Sequence, residues 1–260
     1  MSTGNSSKIN KLLKLQPPGV VLTSNWLVTQ GYSLELLRRY RNSNWLTSIG
    51  TGAMIRENEQ VDYLGAIFSI QQQLGMSIHP AAKTALSLQG KAHFLEFSQQ
   101  QVYLFGHSKE SLPAWFINYD WGVKINYYTT SFLPADEGMT TIRKDSFELS
   151  TSSPARALME CLFIAPQSQD LMECLQIMQG LNNLHPRNVQ RLLEQCTSVK
   201  VNRLFIYLAE KCGHSWFKHL NIQQINLGKG NRSLVKKGVY ISKYKITVPQ
   251  EMEKNEDPEL

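Results

Sequence analysis

In the stretch GYSLELLRRYRNSNWLTSIGTGAMIR, residues 31–56, Arg38, Arg39 and Arg41 sit close together, with Glu35 before them and Asn42 after. A guanidinium is a rigid fork of donors that fits phosphate or the O6/N7 edge of guanine, and an Asn amide can pair with adenine in the same two-bonded way. Stepping roughly 100° per residue along a helix places Leu34, Leu36, Leu37 and Tyr40 on one broad arc. Glu35, Arg38, Arg39 and Asn42 fall on the opposite arc. Arg41 lies at the apolar edge, where its stem can lie flat and its head reach a phosphate. Two readings are open for such a helix: a solvated amphipathic face, or a surface laid against a polyanion. On the second, Glu35 repels phosphate and belongs near a base edge, most naturally a cytosine amine. Arg56, beyond this helix, has no specific role in either reading.

Other chemistry is sparse. The six histidines (79, 93, 107, 185, 214 and 219) form no HExxH and no paired Cys/His zinc spacing. Cys212-Gly213-His214 with His219 is a single cluster without a second pair. No GxSxG, no GxxxxGK[ST] and no Asp-x-Asp occurs. Residues 227–232, LGKGNR, read as a basic turn, since a phosphate loop would need an earlier glycine and a Ser/Thr. The expectation is therefore a protein that is not an enzyme, with no catalytic residue, no metal ligand and no cofactor.

The elements that would hold the arginines follow from caps and breakers. Ser7 can cap a helix to about Leu15, stopped by the Pro-Pro-Gly at 17–19. Val20–Leu22 is extended. Ser24 can cap a second helix, 25–30, and Gly31 can end it, because glycine takes the positive φ that a helix C-terminus favours. Ser33 can cap a third helix to Asn42. Trp45–Ile49 and Ala53–Arg56 read as strands around Gly50-Thr51-Gly52. Helix, strand, helix, tight turn, helix, hairpin is the order of a winged helix-turn-helix. On that reading Lys8, Lys11 and Lys14 can add phosphate contacts.

Residues 57–60 read as a linker, Asp62–Leu74 as a helix, Met76–His79 as a strand, and Pro80 as the start of a helix to Gln89. Strands are expected at 102–105, 123–128 and 147–150. Helices run from Pro154 to about Leu220, and Ser233–Val248 reads as two strands around Lys237-Gly238. The fold class expected is α+β: an N-terminal winged helix-turn-helix, 7–58, then a larger mixed α/β domain, 62–250. Residues 1–6 read as a loose arm and 251–260 as an acidic disordered tail.

Charge is unevenly placed. The chain of 260 residues carries a net +6, but residues 181–250 hold twelve Lys/Arg against two acids, while 57–180 hold thirteen acids against seven. Such blocks suit an acidic partner, or are simply scattered over a solvated surface on folding. Arg187, Arg191, Lys200, Arg203, Lys229, Arg232, Lys236 and Lys237 are the candidate polyanion-facing set. Cys161, Cys174, Cys196 and Cys212 have no CxxC spacing and read as reduced, packed thiols suited to the cytoplasm. No apolar signal region opens the chain and no apolar run approaches about 18 residues, so a cytoplasmic protein away from the membrane is expected.

Several blocks are also familiar in order: LLRRYRNSNWLTSIGTGAMIR, MSIHPAAKTALSLQGKAHFL, VYLFG followed by LPAWF, SSPARALMECL, SVKVNRLFIYLAEKCGHSWFKHL and GKGNRSLVKKGVYISKYKITVP. Together, from Ser7 to Pro249, they resemble the AbiEi antitoxins of abortive-infection toxin–antitoxin operons. The resemblance implies an autorepressor whose winged helix binds double-stranded operator DNA at inverted repeats in its own promoter. It also implies a C-terminal domain that counters a nucleotidyltransferase-like toxin. By motif position Ser33, Arg38, Arg39 and Arg41 would face DNA, with Thr51 at the wing tip; Ser24 and Glu35 complete the candidate set. Many relatives carry a basic residue between the wing glycines, so Thr51 departs from the pattern. The alternative is an antitoxin that chiefly masks its toxin by direct binding, with DNA binding secondary. Co-purification with the toxin separates the two.

Overall fold

A computed structural model describes residues 8–91 and 101–253. The first unit runs α1 (Lys8–Leu15), β1 (Leu22–Thr23), α2 (Ser24–Thr29), α3 (Leu34–Asn42), β2 (Leu46–Gly50) and β3 (Ala53–Arg56). The strands form one sheet in the order β1-β3-β2, all antiparallel. Gly31, at φ +85°, makes the turn between α2 and α3, a conformation other residues adopt only with strain. Ser33 Oγ accepts the Leu36 N–H at 3.2 Å and caps α3. Leu12, Leu22, Leu27, Tyr32, Leu37, Leu46 and Met54 are buried together, so one apolar residue or more from every element closes this small core. Tyr32 also donates its hydroxyl to the Lys8 carbonyl, tying α1 to the turn.

The 57–60 stretch does not isolate this unit. Val20, Val21 and Ala53 belong to a second core with Ile67, Ile70, Phe116 and Phe147. α4 (Tyr63–Leu74) lies along β1: Ser69 Oγ and Gln73 Nε2 both donate to the Val21 carbonyl, and Gln73 Oε1 accepts from the Thr23 N–H and hydroxyl. A long polar side chain thus satisfies backbone groups that a sheet edge would leave open.

The rest is a mixed α/β assembly. β4 (His79–Pro80) pairs antiparallel with β5 (Gln101–His107). After α5 (Ala82–Leu88) and β5 come α6 (Ala114–Asn118) and β6 (Lys124–Thr130), the latter parallel to β5. β7 (Met139–Lys144) and β8 (Phe147–Ser152) make a hairpin. Four helices follow: α7 (Pro154–Ile164), α8 (Leu171–Gly180), α9 (Pro186–Gln195) and α10 (Val199–Lys211). α7 and α10 are buried over most of their length and form the centre of the largest core. β9 (Arg232–Ser233), β10 (Val239–Ile241) and β11 (Ile246–Val248) close the chain.

Four local expectations change. Pro80 ends an extended piece and does not open a helix; its carbonyl accepts the Thr151 hydroxyl and the next N–H bonds Tyr103. The hairpin at the end turns at 242–245, with Lys245 at φ +51°, and β9 runs parallel to β11. β7 was not expected, because MTTIRK alternates only weakly; pairing with β8 supplies what the pattern lacks. Residues 251–253 are not a free tail: Met252 is buried, and Glu253 accepts from Tyr207 and Lys211. The expected arm at 1–6 and the remainder of the tail lie outside the described residues. No described helix is long and apolar enough to cross a membrane.

Candidate nucleic-acid interface

α3 presents the expected polar face. Glu35, Arg38, Arg39 and Asn42 are exposed, Arg41 is half-buried, and Leu37 is buried beneath them. Leu36 and Tyr40 pack partly against the core. Leu34 differs: it is 64% exposed, not on the core side. It is the first residue of the helix, a turn ahead of Leu37, the residue that enters the core with Leu12 and Leu27. The sign was its place just after the cap, which the angular count alone does not weigh.

Glu35 Oε1 takes an Arg39 N–H at 2.6 Å, with both side chains largely exposed. Such an i,i+4 pair adds only about 0.3–0.5 kcal/mol to the helix, which biases the Arg39 fork toward Glu35 without fixing it. Arg38 makes no hydrogen bond or ion pair among the described residues, so its guanidinium is free to meet a ligand.

The wing is short. Gly50 pairs with Ala53, which leaves Thr51 and Gly52, at φ +79°, as the two turn residues, and Thr51 is exposed at the tip. β2 rests on α6: a Cβ placed on Gly50 would lie 2.8 Å from Trp115 Cβ and 3.1 Å from its Cα. Only glycine permits that approach, so the C-terminal part braces the wing from behind. Ser24 needs correction. It is the first residue of α2, not its cap, and only 8% exposed. Its N–H donates to the Gly52 carbonyl at 2.8 Å. Ser24 therefore positions the wing turn through its backbone and does not offer its side chain to solvent.

Arg56, for which no role was expected, is an anchor. It is 6% exposed, donates to the carbonyls of Leu13 (3.0 Å), Pro17 (2.9 Å) and Gln16, and pairs with Glu59 at 3.2 Å. These are the orphan carbonyls at the end of α1 and just beyond it. The sequence carried a hint: Met54 and Arg56 are two apart on a strand and so share the inward face. Arg56→Ala is expected to cost about 2–3 kcal/mol, because three carbonyls and a carboxylate lose their donor at once. Urea unfolding checks this, and a change under 0.5 kcal/mol would remove Arg56 from the scaffold.

The eight C-terminal basic candidates divide. Arg203 is 2% exposed and donates to the carbonyls of Leu227 (2.6 Å), Gly230 (2.8 Å) and Lys245 (3.1 Å), so it organises the 227–230 turn from within. Lys200 is half-buried and donates to the carbonyls of Phe163 (2.6 Å) and Ala165 (2.7 Å), where it caps the end of α7; burial lowers its pKa. Both are corrections: a helix whose residues 201–209 are all buried has no outer face to give a polyanion. Arg191 is exposed but engaged by Glu137 at 3.0 Å. Arg187, Lys229, Arg232, Lys236 and Lys237 stay exposed.

Near α7 a buried polar network was not anticipated as a unit. Glu160, fully buried, accepts from Arg156 Nε (2.9 Å), the Ser152 hydroxyl (2.7 and 2.8 Å) and the Ala82 N–H (3.0 Å). His79 Nε2 lies 3.3 Å away. Burial raises the Glu160 pKa, but the bond and charge of His79, the charge of Arg156 and the Ala82 N–H outweigh it, and the net direction is down. Its spacing, Arg156 to Glu160 at i,i+4, was legible; its burial was not. No group of three His, Cys, Asp or Glu among the described residues is placed to hold a metal ion.

Fold and exposed helix together define a winged helix-turn-helix regulator with an appended α/β domain. Two family descriptions match the sequence in tandem: the N-terminal domain of the AbiEi antitoxin transcriptional regulator over residues 5–97, and the AbiEi antitoxin transcriptional regulator of type IV toxin–antitoxin systems over 99–249. The chain belongs to this family of antitoxin transcriptional regulators. A search of curated proteins returned no match. Among solved structures, the crystal structure of RV2827C protein from Mycobacterium tuberculosis superposes with a TM-score of 0.58 at 13% identity, covering 92% of this chain and 88% of that one. That likeness is one of fold.

Proposed function

We propose that this protein represses its own operon and counters a toxin encoded with it. α3 enters the major groove of double-stranded operator DNA, the wing lies by the backbone, and two copies occupy an inverted repeat. The observation that carries this is the outer face of α3, where Arg38, Arg39, Glu35 and Asn42 stand exposed on the second helix of a helix-turn-helix. The second helix of that motif is the one that reads base edges. Arg41 at the apolar edge, Ser33 at the cap and Thr51 on the wing serve phosphates. The protein acts by binding, without catalysis.

The test is footprinting on the gene's own promoter. Protection of two half-sites, about 10 base pairs or a multiple of that apart, is expected, with affinity falling steeply between 50 and 200 mM salt on the order of a phosphate-contacting protein. Equal affinity for an unrelated duplex would overturn the operator reading.

We assign the toxin-facing function to the C-terminal part; membership of an antitoxin family supports a toxin as partner, and the sequence resemblance implies that this toxin is nucleotidyltransferase-like. Deleting residues 1–58 is a poor way to isolate it, since Val20, Val21 and Ala53 fill the second core. Charge reversal of the exposed Lys229, Arg232, Lys236 and Lys237 keeps that core intact. If this surface faces a polyanion, the reversal weakens toxin neutralisation in a growth assay with folding unchanged. Full neutralisation by the reversed protein would reduce these residues to a solvated face. Stable co-purification with the toxin would favour direct masking instead.

A further inference from the structure

We propose that Leu34 reads the 5-methyl group of a thymine in the operator. This rests on the proposal that α3 lies in the major groove. At roughly 100° per residue, Leu34, Arg38 and Asn42 fall within about 80° of one another and form a single row along the exposed face. Leu34 heads that row at the N-terminal end, the end of a recognition helix that meets base edges. The other side chains of the first turn are engaged: the Ser33 hydroxyl oxygen accepts the Leu36 N–H, and Glu35 holds Arg39. Leu34, at 64% exposure, is apolar, projects outward and is free of such a task. Major-groove edges present donors, acceptors and one apolar group, the thymine methyl. Of the groups on those edges, the thymine methyl is the one that an isobutyl side chain matches best.

Substituting deoxyuridine for thymidine removes this methyl and leaves every hydrogen-bonding edge in place. Binding of the full-length protein to its own promoter duplex, with thymine or with uracil throughout, is followed by fluorescence anisotropy. Wild type should bind the uracil duplex more weakly, roughly fourfold for each methyl contacted. Leu34→Ser should bind the thymine duplex at about the level wild type shows on uracil, with a thymine-to-uracil ratio near one. Arg38→Ala should weaken binding to both duplexes and keep the wild-type ratio. The inference falls if wild type shows no thymine preference, or if Leu34→Ser retains it. It also falls if Leu34→Ser weakens both duplexes equally, the result expected were Leu34 seated against a second copy of the chain. Failure of wild type to bind either duplex would instead remove the DNA reading itself, and this one with it.

Discussion

Alanine at Arg38 will weaken binding to a duplex carrying the gene's own promoter by roughly tenfold to a hundredfold, the range set by losing one two-bonded contact to a base. The unfolding curve will not move, because Arg38 is exposed and its guanidinium makes no bond or ion pair among the described residues. Arg39→Ala should also weaken binding, but by less, since Glu35 already holds that guanidinium at 2.6 Å in the free protein. Glu35→Gln separates the two roles. It removes a negative charge from the face, so affinity for unrelated duplexes should rise while preference for the promoter falls. A gel-shift series with both duplexes reads all three. Unchanged promoter affinity in Arg38→Ala and Arg39→Ala together would place the DNA surface elsewhere.

The largest loss of stability is expected at Glu160. Glu160→Ala removes the acceptor of a Ser hydroxyl, an N–H and the Arg156 guanidinium, and Arg156 is only 5% exposed. Breaking a buried pair this way costs about 3–5 kcal/mol, because the remaining charge has no water to turn to. Arg156 keeps bonds to the carbonyls of Pro134 and Glu137, which should hold the cost toward the lower end. The pH dependence has a definite sign. The carboxyl pKa of Glu160 is lower folded than unfolded. Its contribution is thus fully present above the unfolded value of about 4.3, and is lost as pH falls through the folded value. Urea unfolding of wild type and Glu160→Gln should therefore differ most near neutrality and converge as the pH falls below the unfolded carboxyl value. A gap that widened with acid would show that Glu160 is not the ionised hub of this network.

Much of the first unit was legible from local chemistry. Gly31, Ser33 and the hairpin glycines act within a few residues of themselves, so caps and turns could be placed from the sequence, and α3 begins and ends within a residue of its expected bounds. The alternation of apolar and charged residues told which side of that helix faces out, because the helical period is fixed by the backbone. It failed at Leu34, where burial depends on whether another element reaches the first turn. Among the basic residues the sequence supplied only the number and the block. Arg56, Lys200 and Arg203 look like any surface cation in a chain, yet each is drawn inward by carbonyls from distant segments.

What the sequence determined by itself is therefore local: the element order of a winged helix-turn-helix, the capped helix and its arginine-bearing face. Tertiary structure decided which cations remain free. It also set the wing on Trp115 and joined the first unit to the second core through Val20, Val21 and Ala53. The physical reason is range. Helix caps, turn dihedrals and amphipathic period are set by bonded geometry and neighbours a turn away. The availability of a charge is set by whether a carbonyl or carboxylate from a segment tens of residues distant arrives beside it.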